Sequence, residues 1–335
     1  MTRRLAVRPR EWQAELLCVV VSFATITSLA SVPAAVAAPQ QKKAKKEAKE
    51  PPKEGTKYEN AEEAFRDGIA YLQLKEFAKS QAPLEQALKL AADDSYRIKV
   101  YEFLMEPYRQ LPEPDKMIEA CEFIIEKSDF QPKRSLTRNA LLSFVYQRGK
   151  VDPAVQHFED VLKKEPNHRA ANYILSEMYN RVKPNPKRRV ELLEKLVVLS
   201  EKEGDEFRRG TQGQLAGAYV GTGKVKEGAE LYEKLAKEDA KQAGSLWKDA
   251  AGAWLKAGDK DKALAAAKSA DAAPGERPSG LLGYYFHQQL GDIFVQTGEP
   301  KLAIPHYEKA LANTDIAGYK KDTEKKLEDA RAKAQ

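Results

Sequence analysis

LWKDAAGAWLKAGDKDKALAAAKSA, residues 246–270, is the stretch on which the fold is decided. Its apolar residues recur at helical spacing up to Leu255, break at Gly258-Asp259, and recur again to Ala270. That pattern predicts two short helices joined by a tight turn. Within it, the small residue Ala251 stands three before Trp254, Gly258 follows four later, and Ala263 five after that. The same spacing returns in QLAGAYVGTGKVKEGAELYEKL, residues 214–235, as Ala216, Tyr219, Gly223 and Gly228. It returns again in FHQQLGDIFVQTGEPKLAIPHYEKAL, residues 286–311, as Gly291, Phe294, Gly298 and Ala303. A small residue lets two helix backbones approach, and the aromatic fills the space beside it. One such hairpin cannot bury its apolar face alone, so recurrence predicts a stack of hairpins sharing a continuous core.

Working outward, the match weakens but persists. Residues 135–167 keep Gly149, Ala154, Phe158 and Pro166, and residues 169–200 keep Leu175, Ser176 and Tyr179 around a longer Lys183-Pro184-Asn185-Pro186 turn. The first unit keeps Gly68, Tyr71, Leu84 and Ala87; the second keeps Leu104, Tyr108 and Cys121 but loses its small residues. Seven units result, beginning near 61, 98, 135, 169, 209, 244 and 284. These strings resemble the tetratricopeptide repeat (TPR) family, whose signature is W-x2-L-G-x2-Y followed by A-x3-F and a helix-ending Pro. The resemblance implies an all-α, right-handed superhelical α-solenoid over residues 61–313. No segment alternates with period two over strand length. Residues 314–335 carry Ile316, Tyr319, Thr323, Leu327, Ala330 and Ala334 on one face and charges on the other, the pattern of a C-terminal capping helix.

The N-terminal residues belong to transport. Arg3, Arg4, Arg8 and Arg10 precede an uncharged apolar run from Leu16 to Leu29, and Ala35-Val36-Ala37 offers the small residues a signal peptidase needs. Residues 1–37 therefore read as a signal peptide, cut after Ala37 or Ala38, with an uncleaved signal anchor as the alternative. The expectation is an exported protein, periplasmic or extracellular, without a stable membrane span after cleavage. Residues 38–60 are a Lys-rich disordered linker with nothing to build a core.

Composition narrows the chemistry. Of 335 residues 42% are hydrophobic and 32% charged, with 56 Lys+Arg against 50 Asp+Glu and a net charge of +6. So balanced a surface carries no nucleic-acid signal. The basic group Arg181, Lys183, Lys187, Arg188 and Arg189 lacks interleaved aromatics and reads as a solvated turn. Cys18 falls in the signal, which leaves Cys121 alone in the mature chain at a packing position, so no intramolecular disulfide is expected. His157, His168, His287 and His306 show no metal-ligand spacing. GxSxG, P-loop and GxGxxG motifs are all missing from the sequence. Neither an enzyme, nor a metal, nor a cofactor is indicated.

The resemblance implies that the first helix of each hairpin lines a concave face holding a partner protein or peptide. Helical phase puts Glu106, Arg109, Asn139, Tyr146, Gln147, Tyr173, Glu177, Asn180 and Arg181 there. Amides satisfy a peptide backbone, and tyrosines give contact area at low entropic cost. Gly213, Gly217 and Gly221 recur every four residues in the fifth repeat, and Gly252 stands in the sixth where Gly217 stands in the fifth. A mid-helix Gly costs roughly 1 kcal/mol against Ala, so a partner backbone against this strip is one expected reason, and a neighbouring helix of the same chain or a simply weak helix is the alternative. The central groove position carries Ile69, Glu106, Ser143, Glu177, Gly217, Gly252 and Asp292 in turn, which argues against the Asn-rich clamp of TPR cochaperones. An envelope adaptor for proteins is the leading expectation. A polysaccharide-binding protein is the alternative, disfavoured because Trp247 and Trp254 fall at core positions.

Overall fold

The computed structural model describes residues 56–335, apart from 112, 203 and 275–277. The signal and most of the linker expected from the sequence lie outside the described residues. Within them are fifteen α-helices and no strand. In chain order they are α1 (Ala61–Gln73), α2 (Phe77–Leu90), α3 (Asp94–Gln110), α4 (Pro114–Lys127), α5 (Gln131–Gln147), α6 (Val151–Lys164), α7 (Arg169–Arg181) and α8 (Pro186–Leu199). They continue with α9 (Asp205–Thr222), α10 (Val225–Glu238), α11 (Ala243–Lys256), α12 (Lys260–Ala272), α13 (Gly280–Gln296), α14 (Pro300–Ala312) and α15 (Ala317–Lys333). Odd and even helices pair as seven hairpins, and α15 follows the last. This is a helical-repeat solenoid.

Local chemistry sets where the helices begin and turn. Asn60, Asp93 and Asp259 cap α1, α3 and α12, each side-chain oxygen accepting from the backbone N–H three residues on, at 2.8, 2.8 and 3.0 Å. The repeating turn glycines all have left-handed backbone: φ is +63° at Gly149, +94° at Gly223, +80° at Gly258 and +87° at Gly298. In the first hairpin the same turn position is held by Lys75, at φ +59°. A residue with a Cβ pays of order 1–2 kcal/mol for that conformation.

In each hairpin one residue stands seven before the turn position, where the small residue of the repeat spacing falls. Those residues are Gly68, Met105, Leu142, Ser176, Ala216, Ala251 and Gly291. In every hairpin but the third the two helices run side by side. In the third hairpin, with Leu142 at this point, α5 and α6 scarcely approach. At the two glycines there is no spare room. A Cβ on Gly68 would stand 2.5 Å from Leu84 Cγ, and one on Gly291 2.7 Å from the Tyr307 ring.

The interior divides into three clusters rather than one. The first runs from Ala64 to Phe207, a small second joins Val190, Leu193, Leu215 and Ala218, and the third runs from Ala229 to Ala330. Trp254, 1% exposed, anchors the third, and its indole N–H donates to Glu233 Oε1 at 2.7 Å. On α15, Thr323, Leu327 and Ala330 are buried, Thr323 Oγ1 bonds the Tyr284 hydroxyl at 3.2 Å, and Tyr319 stacks on the Tyr284 ring. Ile316, assigned to this inner face from the sequence, is instead 49% exposed, because it precedes the helix as its N-cap residue.

Candidate partner-binding groove

The first helices of the last three hairpins stand in one row. α9 presents Gly213, Gly217 and Gly221 one turn apart; α11 presents Lys248, Gly252 and Lys256; α13 presents Gln289, Asp292 and Gln296. Between them lies a cavity of about 630 Å³, lined among others by Gly217, Val220, Tyr232, Lys248, Asp249, Gly252, Lys256, Gln289, Asp292 and Gln296. Gly217, Gly252 and Asp292, successive central positions of the row, all line it.

Close packing does not explain most of this glycine floor. A Cβ added at Gly213, Gly221 or Gly252 meets nothing within 4 Å. Gly217 differs, since its Cβ would stand 2.9 Å from the hydroxyl of Tyr232, a residue of α10. Of the strip expected from the sequence, the cavity therefore gathers Gly217 and Gly252, while Gly213 and Gly221 lie beside it with open space over them.

The acidic groups here are already engaged. Asp292 Oδ1 accepts from the Tyr307 hydroxyl at 2.7 Å, and Oδ2 from Lys326 Nζ at 2.9 Å. Burial and that carboxylate push the Tyr307 phenol well above its ordinary range. Lys248 Nζ donates to Asp249 Oδ1 and to Gln289 Oε1, both at 2.7 Å, and Lys256 Nζ to the carbonyl of Val220 at 2.8 Å. What remains uncommitted is mostly donor chemistry: the Gln289 amide protons, the spare protons of the two ammonium groups and the Tyr232 hydroxyl. Burial, with Asp249 nearby, pushes the Tyr232 phenol up to about 12, so it keeps its proton at neutral pH.

The other residues expected to line a groove lie on α3, α5 and α7, away from this cavity. Glu106 and Arg109 form an exposed ion pair at 2.6 Å, and Gln147 donates to Ser143 Oγ at 3.1 Å. Tyr146 is 53% exposed, Asn180 and Arg181 are exposed, and Asn139 Oδ1 takes a long 3.4 Å bond from Arg138. Tyr173 and Glu177 require correction: each is only 3% exposed and is not presented to a partner. The Arg138 guanidinium lies 4.3 Å from the Tyr173 ring, Phe207 meets that ring edge-on, and the Tyr173 hydroxyl is 2.9 Å from Ser135 Oγ. Glu177 is held by Arg181 Nε at 2.7 Å.

The remaining candidate residues have contacts of their own. In the basic group, Arg188 is spent on Glu159 and Glu191 at 2.8 and 2.7 Å, Lys183 on Asp152, and Arg181 on Glu177. Cys121 is fully buried, which raises its thiol pKa far above the ordinary range. His287 and His306 are buried with their Nδ1 atoms 3.2 Å apart. No set of three or more His, Cys, Asp or Glu suited to a metal occurs among the described residues. No described helix is long and apolar enough to cross a membrane. Sequence reasoning missed Lys248, Asp249, Lys256, Gln289, Gln296 and, least expected of the cavity residues, Tyr232. It sits on a second helix, where core packing is the default, and the signal for it was the missing side chain at Gly217.

Residues 214–277 match the family model described as tetratricopeptide repeat. No curated protein matches the chain. Among solved structures, a tetratricopeptide repeat protein from Parabacteroides merdae is 15% identical, covering 80% of this chain and 98% of its own, with a TM-score of 0.40. MamA is 19% identical over 52% of this chain and 94% of its own, TM-score 0.40. Pseudomonas aeruginosa pilF is 12% identical over 79% and 96%, TM-score 0.37.

Proposed function

For a chain built of tetratricopeptide repeats, we propose the role of an exported scaffold that binds partner proteins or peptides along its first-helix row and organises an envelope complex. The observation that carries this reading is the 630 Å³ cavity over Gly217 and Gly252. A binding floor without side chains lets a partner main chain come close, and open glycines in mid-helix are otherwise a stability cost of roughly 1 kcal/mol each. The uncommitted donors around it suit the carbonyl oxygens of an extended polypeptide. Export rests on the basic start, apolar run and Ala-Val-Ala site at residues 1–37. Binding rather than catalysis is favoured because the cavity's carboxylates are held in ion pairs and hydrogen bonds.

A photoreactive amino acid tests the binding reading in the native host. Placed at Gly252 or Lys256 it should give discrete protein adducts. Placed at Lys234 of α10, whose side chain is 61% exposed, it should not. Equal labelling from both positions, or no adduct from the cavity, overturns the reading. Export is checked by mass spectrometry of the native protein: a new N-terminus near Ala38 or Pro39 is expected, and intact Met1 in the cytosolic fraction refutes it. A polysaccharide ligand is the second reading. It finds little support in the aromatic residues, since Trp254 is 1% exposed and Trp247 half-buried.

A further inference from the structure

Tyr232 belongs to α10, the second helix of its hairpin, yet its side chain lines the cavity formed by first helices. It gets there over Gly217, the glycine of α9 whose missing side chain leaves room for the phenol. A Cβ at Gly217 would stand 2.9 Å from the Tyr232 hydroxyl, closer than real Cβ atoms come, so any other residue at 217 forces the hydroxyl to move. No protein group among the described residues accepts a hydrogen bond from that hydroxyl. A half-buried phenol O–H that faces a polar cavity is unsatisfied by its own chain and available to a ligand. Around it the cavity's carboxylates are occupied, Asp292 by Tyr307 and Lys326 and Asp249 by Lys248, while Lys248 and Lys256 keep protons to spare. The site therefore asks its occupant for acceptors.

We propose that Tyr232, reaching through the gap left by Gly217, donates its hydroxyl proton to a main-chain carbonyl oxygen of a partner peptide lying in the cavity. The glycine is thus a window rather than only a floor: it positions a second-helix side chain on the binding face. This rests on the peptide-binding reading above and adds the donor and its positioning residue to it.

The test uses the full chain and a displayed library of random dodecapeptides, selected on the wild-type protein and counter-selected on Gly252→Trp, which fills the cavity. Affinities of recovered peptides are then measured by calorimetry on Tyr232→Phe, Gly217→Ala, the double variant and Gly221→Ala. One hydrogen bond to a neutral donor is worth about 2- to 12-fold in affinity. Tyr232→Phe and Gly217→Ala should each weaken binding by about that factor, and the double variant no further than either, because both remove the same bond. Gly221→Ala, which meets nothing within 4 Å, should leave affinity unchanged. Melting temperatures should be no lower than wild type for the glycine variants, so the loss cannot be ascribed to unfolding. Peptides that bind Tyr232→Phe as well as wild type, or losses that multiply in the double variant, overturn the proposal while sparing the peptide-binding reading. Recovery of no peptide that the Gly252→Trp block excludes refutes both. Displacement of a bound peptide by cell-wall oligosaccharides at lower concentration than by the free peptide would transfer the site to a sugar and overturn the assignment of the carbonyl.

Discussion

Two glycines one hairpin turn apart should respond to the same substitution with opposite signs. Gly213 lies inside α9 with open space over it, whereas Gly228 lies inside α10 against α9. A Cβ on Gly228 would stand 2.6 Å from Val220 Cγ2, 2.7 Å from the carbonyl oxygen of Ala216 and 3.1 Å from the Val220 nitrogen. Two of those three atoms are backbone, so relief requires the helices to separate by several tenths of an ångström along a buried contact. Overpacking of this kind costs about 1–3 kcal/mol, with rigid backbone neighbours at the upper end. Both substitutions gain roughly 1 kcal/mol of helix propensity. Gly213→Ala should therefore stabilise by about 1 kcal/mol and Gly228→Ala destabilise by about 2 kcal/mol. At about 2–4 °C per kcal/mol for a chain of this size, the two variants should melt roughly 6–12 °C apart. Thermal denaturation followed by far-ultraviolet circular dichroism reads this directly. Adding Val220→Ala to Gly228→Ala removes one clash and leaves the carbonyl, so it should rescue little. A Gly228→Ala protein that melts at or above wild type would refute the close-approach argument for the whole repeat.

Lys75→Gly should protect α1 and α2 amides from hydrogen exchange by about two- to fivefold more, since relief of a left-handed lysine (about 1–2 kcal/mol) exceeds the extra chain entropy of glycine; unchanged or faster exchange would show that the turn is not strained. Cys121 should resist an aromatic disulfide reagent in the native chain and react at the rate of a free thiol only in denaturant, because burial keeps it protonated; prompt native labelling would place it at the surface. The hydrogen bond to Glu122, 2.7 Å away, raises the His157 pKa above its unfolded value, so its stabilisation is full below about pH 6.5 and is lost as pH rises through the folded pKa. The gap in urea midpoint between wild type and His157→Gln should thus be wider at pH 6 than at pH 9, and a gap that widens with pH contradicts the pairing. Deleting residues 314–335 strips Leu327, Ala330 and the Tyr319 stack from the last hairpin and should cause aggregation seen by light scattering; a monomeric, equally stable truncation would remove the capping role.

Spacing made the hairpins legible because it reports packing, and packing is what repeats. The starts read from repeat similarity at 98, 135, 209 and 284 each fall four residues after the observed helix starts at 94, 131, 205 and 280. The offset has a physical origin. Similarity begins where side chains first enter the shared core, while a helix begins at its cap one turn earlier, as at Asp93. In the groove, helical phase put Gly217, Gly252 and Asp292 at equivalent positions of consecutive hairpins, and all three line the cavity. It failed at Tyr173 and Glu177, because phase says which way a side chain leaves its helix and nothing of what folds over it; Arg138 and Ser135 come from the neighbouring hairpin. Tyr232 was illegible for the converse reason, its exposure being created by an absence on another helix.

The third hairpin differs from the others in a way that bears on how the array opens. Because α5 and α6 scarcely approach at Leu142, each leans on the adjoining hairpin rather than on its own partner helix. In a stack whose stability is a sum over units and their interfaces, such a hairpin has little to hold it once a neighbour has left, so opening on either side should take it along.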